Sequence, residues 1–333
     1  MKNLPLLLLL FLCFNCTTKN QTVSIAFGSC NKQYETNVLW KEIAKDKPEI
    51  WIWGGDIVYA DTDSMPKLKA IYAQQWNQKG YKEFANSVTV LGTWDDHDYG
   101  LNDGGLEFYK KDESQQLLLD FLKVPKNDIR RKRKGVYHTK TIQNNQGSIK
   151  IIVLDTRYFR TSLTLSKDKN KRYQPNTYGE GTVLGETQWK WLEEELRNSK
   201  ADFNIVVSSI QLLSNQHGFE TWGNFPHEVD KFKKLLQKSK AKRVIVLSGD
   251  RHISEFSSTK INGLSYPLID FTSSGLTHAY TGFTKEENPM RIGNVVSEIS
   301  FGLLTFDFTS KKVTMQMRGK DNILQQEHIQ SYN

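Results

Sequence analysis

Residues 50–61 read IWIWGGDIVYAD. Ile50 to Trp53 run without the polar alternation of a half-solvated strand, so they predict a strand buried on both faces. Gly54 and Gly55 let the backbone turn closely after it. Asp56 and Tyr59 follow three positions apart, and one helical turn would aim both the same way. A carboxylate and a phenolate are hard anionic donors suited to ferric iron. A strand that ends in such side chains suits an α/β protein, whose loops gather sites at the carboxyl ends of strands.

The arrangement recurs along the chain. Strand-like Val23 to Phe27 leads into GSCN with Cys30, Val88 to Leu91 into GTWDDHDYG at 92–100, and Val244 to Leu247 into SGDRH at 248–252. Asp95, Asp96 and Asp98 crowd around His97 and would raise one another's pKa, which a multivalent cation would relieve. Asp250 and His252 in extended backbone would point to one side. Thiolate, phenolate, carboxylates and imidazole together suit one transition metal beside one oxygen-loving metal. Two metals a few ångströms apart can hold phosphoryl oxygens and lower the pKa of a water, which is what phosphate-ester hydrolysis needs. His97, beside Asp96, is the candidate to protonate the leaving group.

Outside these strings, Ile149 to Leu154 and Phe203 to Val207 read as further buried strands, and Asn37 to Lys45, Ser114 to Lys123 and Thr187 to Arg197 as helices. Tyr266 to Thr272, Val296 to Phe308 and Lys312 to Met317 predict an antiparallel C-terminal third, and the whole an α/β layered sandwich. Arg157 and Arg160, in LDTRYFR at 154–160, could clamp a phosphate through a guanidinium fork; pairing of Asp155 with an arginine fits equally. His217 and His278 lie on loops that could approach the site, and Trp189, Trp191 and Trp222 fit the core.

The strings FGSCN, GGDIVYAD, TWDDHDYGLNDGG, LDTRYFR, LGETQWKWLEEEL, ETWGNFP and SGDRHISEF, in that order over residues 23 to 280, resemble those of the PhoD-like (alkaline phosphatase D) family of calcineurin-like metallophosphoesterases. The resemblance implies a four-layer αββα sandwich with mixed sheets and a phosphomonoesterase or phosphodiesterase working at a dinuclear site. It implies Fe3+ held by Cys30, Asp56, Tyr59 and His252, and Ca2+ reached by Asp56, Asp96 and Asp250, with an alkaline optimum. Larger members carry an N-terminal β-sandwich domain, so substrate selection is expected to differ. Asp96 stands where related enzymes often have Asn, which makes this site more anionic.

The first sixteen residues, MKNLPLLLLLFLCFNC, place Lys2 ahead of an apolar run from Leu4 to Phe14, too short to span a bilayer and ordered like an export signal. Cys16 would carry a lipid, placing the protein in a bacterial cell envelope, periplasm or outer membrane, with residues 17–333 as one domain and a monomer. Of the three cysteines, Cys30 would then be left alone, without an internal disulfide partner in an oxidising compartment. The net charge of +8 is not gathered into a nucleic-acid motif. The competing class is a non-catalytic surface lipoprotein that binds a phosphorylated ligand.

Overall fold

The computed structural model describes residues 22–332. The export and lipidation readings at Leu4–Phe14 and Cys16 lie outside that range. Fifteen strands and seven helices build the chain among the described residues. The strands are β1 (Val23–Gly28), β2 (Ile50–Gly54), β3 (Thr89–Thr93), β4 (His138–Gln143), β5 (Ser148–Val153), β6 (Thr164–Leu165), β7 (Tyr173–Gln174), β8 (Phe203–Val207), β9 (Val244–Ser248), β10 (Ser254–Thr259), β11 (Leu268–Ser273), β12 (Arg291–Val296), β13 (Phe301–Asp307), β14 (Lys312–Arg318) and β15 (Leu324–Ser331). The helices are α1 (Trp40–Lys45), α2 (Met65–Trp76), α3 (Tyr81–Ser87), α4 (Asp96–Tyr99), α5 (Lys111–Phe121), α6 (Gly185–Arg197) and α7 (Pro226–Ser239).

The strands form a six-stranded sheet, ordered β15-β14-β13-β1-β2-β3, and a seven-stranded sheet, ordered β12-β10-β11-β9-β8-β5-β4; β6 and β7 make a separate hairpin. Side-chain alternation distributes the apolar runs between three cores. Ile50 and Ile52 enter the core between the sheets, together with Ile149, Ile151, Phe203 and Ile245. Trp51 and Trp53 face the other way, into a core covered by α1, α2, α3 and α5. On the far side, Ile152, Val206, Val244 and Val246 meet Trp189 and Leu192 of α6 and Phe232 and Leu236 of α7. The order helix, sheet, sheet, helix is the four-layer αββα sandwich expected, and it explains why these strands lack polar alternation.

The expected antiparallel C-terminal third holds only in part. β13, β14 and β15 pair antiparallel, but β11 runs parallel to β9. Both sheets therefore contain a parallel stretch, β1-β2-β3 at one edge of the first and β5-β8-β9-β11 in the middle of the second. The carboxyl ends of these strands open at one pole of the sandwich, where the loops after β1, β2, β3 and β9 meet.

Candidate metal centre

Cys30, two residues past β1, is fully buried. Its Sγ lies 3.3 Å from Asp56 Oδ2 and 3.0 Å from Ser274 Oγ, and 3.5 Å from the Asp250 carbonyl. Burial pushes its thiol up to about 12, only partly offset by Ser274. Asp56 is also buried, and its Oδ1 has no partner. Burial first, and the Cys30 sulfur second, push its carboxyl well above the usual range. Two acids whose anionic forms burial disfavours make a site that a cation would stabilise.

Cys30, Asp56, Asp250 and His252 all adopt positive φ, from +48° to +69°. Left-handed backbone at four non-glycine residues of one cluster is the kind of strain that functional sites retain. It also overturns two local expectations. Asp56 and Tyr59 are aimed together by a left-handed turn and not by a helical one, and Asp250 and His252 sit in a tight loop and not in extended backbone. Gly55 permits the first turn: at φ +100°, a Cβ would come 2.6 Å from the Asp95 Cβ.

Tyr59 Oη lies 2.9 Å from His252 Nε2 and 3.3 Å from His278 Nε2. His278 thus belongs to the cluster. His217 does not line the cleft described below; buried elsewhere, its Nδ1 accepts from the Phe219 amide. The Tyr59 ring packs on the His97 ring with centroids 4.1 Å apart, and His97 Nδ1 is 2.8 Å from an Asp61 oxygen. Burial alone would lower the His97 pKa, but Asp56 and the Asp61 hydrogen bond outweigh it and hold the imidazolium up to about 10.

The DDHD string divides by role. Asp95 and Asp98 form a capping box at the start of α4, and Asp98 also accepts from the Ile57 amide at 3.1 Å. Asp98 therefore acts within the local backbone. Asp96 accepts from the Asp103 amide at 2.7 Å and from the His97 amide at 2.9 Å. Burial raises the Asp96 pKa, but Arg157 and His97 outweigh it and keep the carboxyl below its ordinary value.

Three overlapping ligand sets result, each with atoms within 4.8 Å of one another: Cys30, Asp56 and His252; Asp56, Asp96 and His97; Asp95, Asp96 and Asp250. The orphaned Asp56 Oδ1 and a donor series grading from sulfur and imidazole to carboxylates alone fit two different cations side by side. Above them opens a cleft of about 450 Å³ lined by Asp96, His97, Arg172, Arg251, His252 and Tyr280, among others.

Arg157 is in a different place from the phosphate clamp expected. It is fully buried; its Nε donates to Asp95 Oδ1 at 2.6 Å and its Nη1 to Glu220 Oε2 at 2.5 Å. Arg160 Nε lies 2.9 Å from the other Glu220 oxygen. Neither arginine lines the cleft, and neither forms an ion pair with Asp155, which instead accepts from Trp94 Nε1 and three backbone amides. Asp61, Glu220, Arg172 and Arg251 received no role from the sequence, and Asp95 none beyond its place in the acidic cluster. Asp61, Asp95, Glu220 and Arg251 stood inside the strings already quoted, whereas Arg172 comes from a distant loop with no local signal.

A family model described as PhoD-like phosphatase matches residues 128–317, more than half of the chain. The chain belongs to the PhoD-like phosphatase family. Within that match fall Asp250 and His252; Cys30, Asp56, Tyr59 and Asp96 come from the N-terminal part of the same sandwich. Alkaline phosphatase D of Bacillus subtilis (strain 168) is 23% identical over 309 residues, covering 76% of this chain and 51% of the relative. The chain thus spans about half the length of that curated relative. Among solved structures, PhoD superposes with a TM-score of 0.73 at 18% identity, over 93% of this PhoD-like chain and 68% of the other. A dimetal phosphatase from Danio rerio gives 0.54 at 11% identity, over 93% and 99%. GAP50 of Plasmodium, titled as the anchor in the inner membrane complex, gives 0.58 at 12% identity, over 94% and 89%. At these identities the structural likenesses establish the fold.

Proposed function

We propose that this PhoD-like chain hydrolyses phosphate monoesters or diesters at a dinuclear metal centre. The observation that carries the reading is the convergence of the three ligand sets around the unpartnered Asp56 Oδ1. Cys30, Asp56, Tyr59 and His252 would hold an iron, and Asp56, Asp96 and Asp250 a calcium, Asp56 belonging to both. Bound there, the ions would neutralise phosphoryl oxygens and lower the pKa of an attacking water.

The remaining steps belong to side chains of this chain. Arg172 and Arg251 line the cleft and can take the outer phosphoryl oxygens. Asp61 holds His97 by Nδ1, which leaves Nε2 to carry the proton that the departing alkoxide needs. Arg157 is a positioning residue: its bonds to Asp95 and Glu220 fix the loop that carries Asp96.

Hydrolysis of p-nitrophenyl phosphate and of bis-p-nitrophenyl phosphate, measured before chelation, after it and after metal is restored, tests the proposal. Turnover that chelation abolishes and metal restores is the expected result, and the ratio of the two rates separates monoesterase from diesterase. Turnover indifferent to chelation would remove the metal centre from the reaction, and none on either ester would remove the proposal in favour of the ligand-binding lipoprotein. Export and lipidation at Cys16 are proposed on the sequence alone; incorporation of labelled palmitate, lost in Cys16→Ser, tests them.

A further inference from the structure

The parallel strands that deliver ligands to the cleft all begin at the opposite pole, and that pole is basic. The α7–β9 connection contributes Lys240 and Lys242, the β10–β11 turn Lys260, the β13–β14 turn Lys311 and Lys312, and the approach to β8 Lys200; all six are exposed. None takes part in an ion pair among the described residues. They come from both sheets but are held close together. Tyr332, whose amide donates to the Lys311 carbonyl at 3.0 Å, packs against Tyr266 with ring centroids 5.1 Å apart. Tyr266 Oη in turn accepts from the Val244 amide at 3.0 Å, and Arg243 Nη1 reaches the Asp202 carbonyl at 3.0 Å. Of the acids at this pole, Asp202 accepts from Ser148 and Asp307 from the amides of Thr309 and Ser310, which leaves Glu49, exposed just before β2, as one carboxylate against the six lysines.

β1 starts here as well. Val23 pairs with Phe306, next to the turn that carries Lys311 and Lys312. Residues 1–22 therefore join the fold at the basic pole, and they include the apolar run Leu4 to Phe14. Cys16 and Val23 are seven positions apart, which at full extension reaches about 25 Å. Cys30 lies at the far end of β1, about 20 Å from Val23 along the strand.

We propose that this lysine-rich pole docks on an anionic phospholipid bilayer, so that the membrane end of the chain and the basic surface act together and the cleft faces the aqueous phase. Exposed lysines near a negatively charged leaflet are attracted over about one Debye length, and a short tether keeps them within reach. Nucleic acid fits less well, because the aromatic rings of this pole, Tyr266 and Tyr332, pack inward on each other and on Phe203 and offer no stacking platform. The proposal does not depend on what the cleft hydrolyses.

Co-sedimentation of the full chain with vesicles tests it, comparing phosphatidylcholine alone with the same lipid carrying about 30 mol % phosphatidylglycerol, at about 50 and 300 mM salt. The anionic lipid should raise partitioning about tenfold or more at low salt, and salt should erase the gain. The quadruple variant K240Q/K242Q/K311Q/K312Q should lose that gain while keeping its partition into phosphatidylcholine and its ester hydrolysis. A control with the same charge change on another face, K67Q/K69Q/K79Q/K82Q, should keep the gain. Equal partition into both lipids, equal loss in the control, or tighter binding of double-stranded DNA than of anionic vesicles would each overturn the proposal.

Discussion

His97 is gripped on two sides, by the Asp61 carboxylate at Nδ1 and by the face of Tyr59, so its ring has one orientation open to the cleft. Replacing it with Ala should lower kcat on a poor leaving group by about 10²–10⁴-fold with metal content unchanged. Its pKa is held up to about 10 by Asp56 and Asp61 against the effect of burial, and a cation between Asp56 and Asp96 would bring it lower. A general acid works while protonated, so kcat should fall as pH rises through that pKa, and a pH–rate profile of His97→Gln should lack this limb. Arg157 gives the opposite signature. Arg157→Met would leave Asp95 buried without its cationic partner and Glu220 with Arg160 alone, at a cost of about 3–5 kcal/mol; denaturant unfolding should show the loss, whereas a phosphate clamp would alter KM with stability intact. The candidate ligands Cys30, Asp56 and His252 stood in short strings, and the fold gathers their donor atoms within 4.8 Å of one another. The occupation of Arg157 was not legible, because its partners Asp95 and Glu220 lie 62 and 63 positions away and only the fold brings them together.

Elements whose core side chains alternate between two apolar layers were the easiest to read. Trp51 and Trp53 on one face of β2, and Ile50 and Ile52 on the other, left no alternative to a central strand. The edge element β15, with mixed polar faces, carried no comparable pattern and went unread. The left-handed turns after β1, β2 and β9 were also hidden, since Cys, Asp and His do not announce positive φ as glycine does. Gly55 is the exception, and Gly55→Ala should separate the β2 and β3 loops, lowering metal affinity and stability together in titration and melting experiments. At the start of β4, burial first and Arg130 second pull the His138 imidazole down to about 3. The unfolded chain takes up this proton near pH 6.5, so the stability His138 contributes is full above that pH and is lost as pH falls toward 3. His138→Phe should therefore flatten the fall in denaturation midpoint between pH 6 and 4, measured by urea unfolding across that range.

At the scale of the molecule, the two sheets bring their parallel strands to a common pole, and that shared direction turns four separate loops into one centre. The sandwich was legible because six strand-like apolar runs and their intervening helices admit few packings; the distribution of lysines at the other pole was not, since it depends on which strand ends coincide. Cations held between the loops after β1, β2, β3 and β9 would bind the folded state alone, so chelation should lower the melting temperature as well as turnover. The account depends most directly on Asp56, the one residue shared by the sulfur-containing ligand set and the set of Asp96 and His97. Elemental analysis of the purified wild-type chain beside Asp56→Asn, with circular dichroism to confirm that both are folded, puts this to the test. About two metal ions per wild-type chain, and loss of most of both in the folded variant, is the predicted result; metal-free wild-type protein, or a variant that retains its full complement, would contradict it.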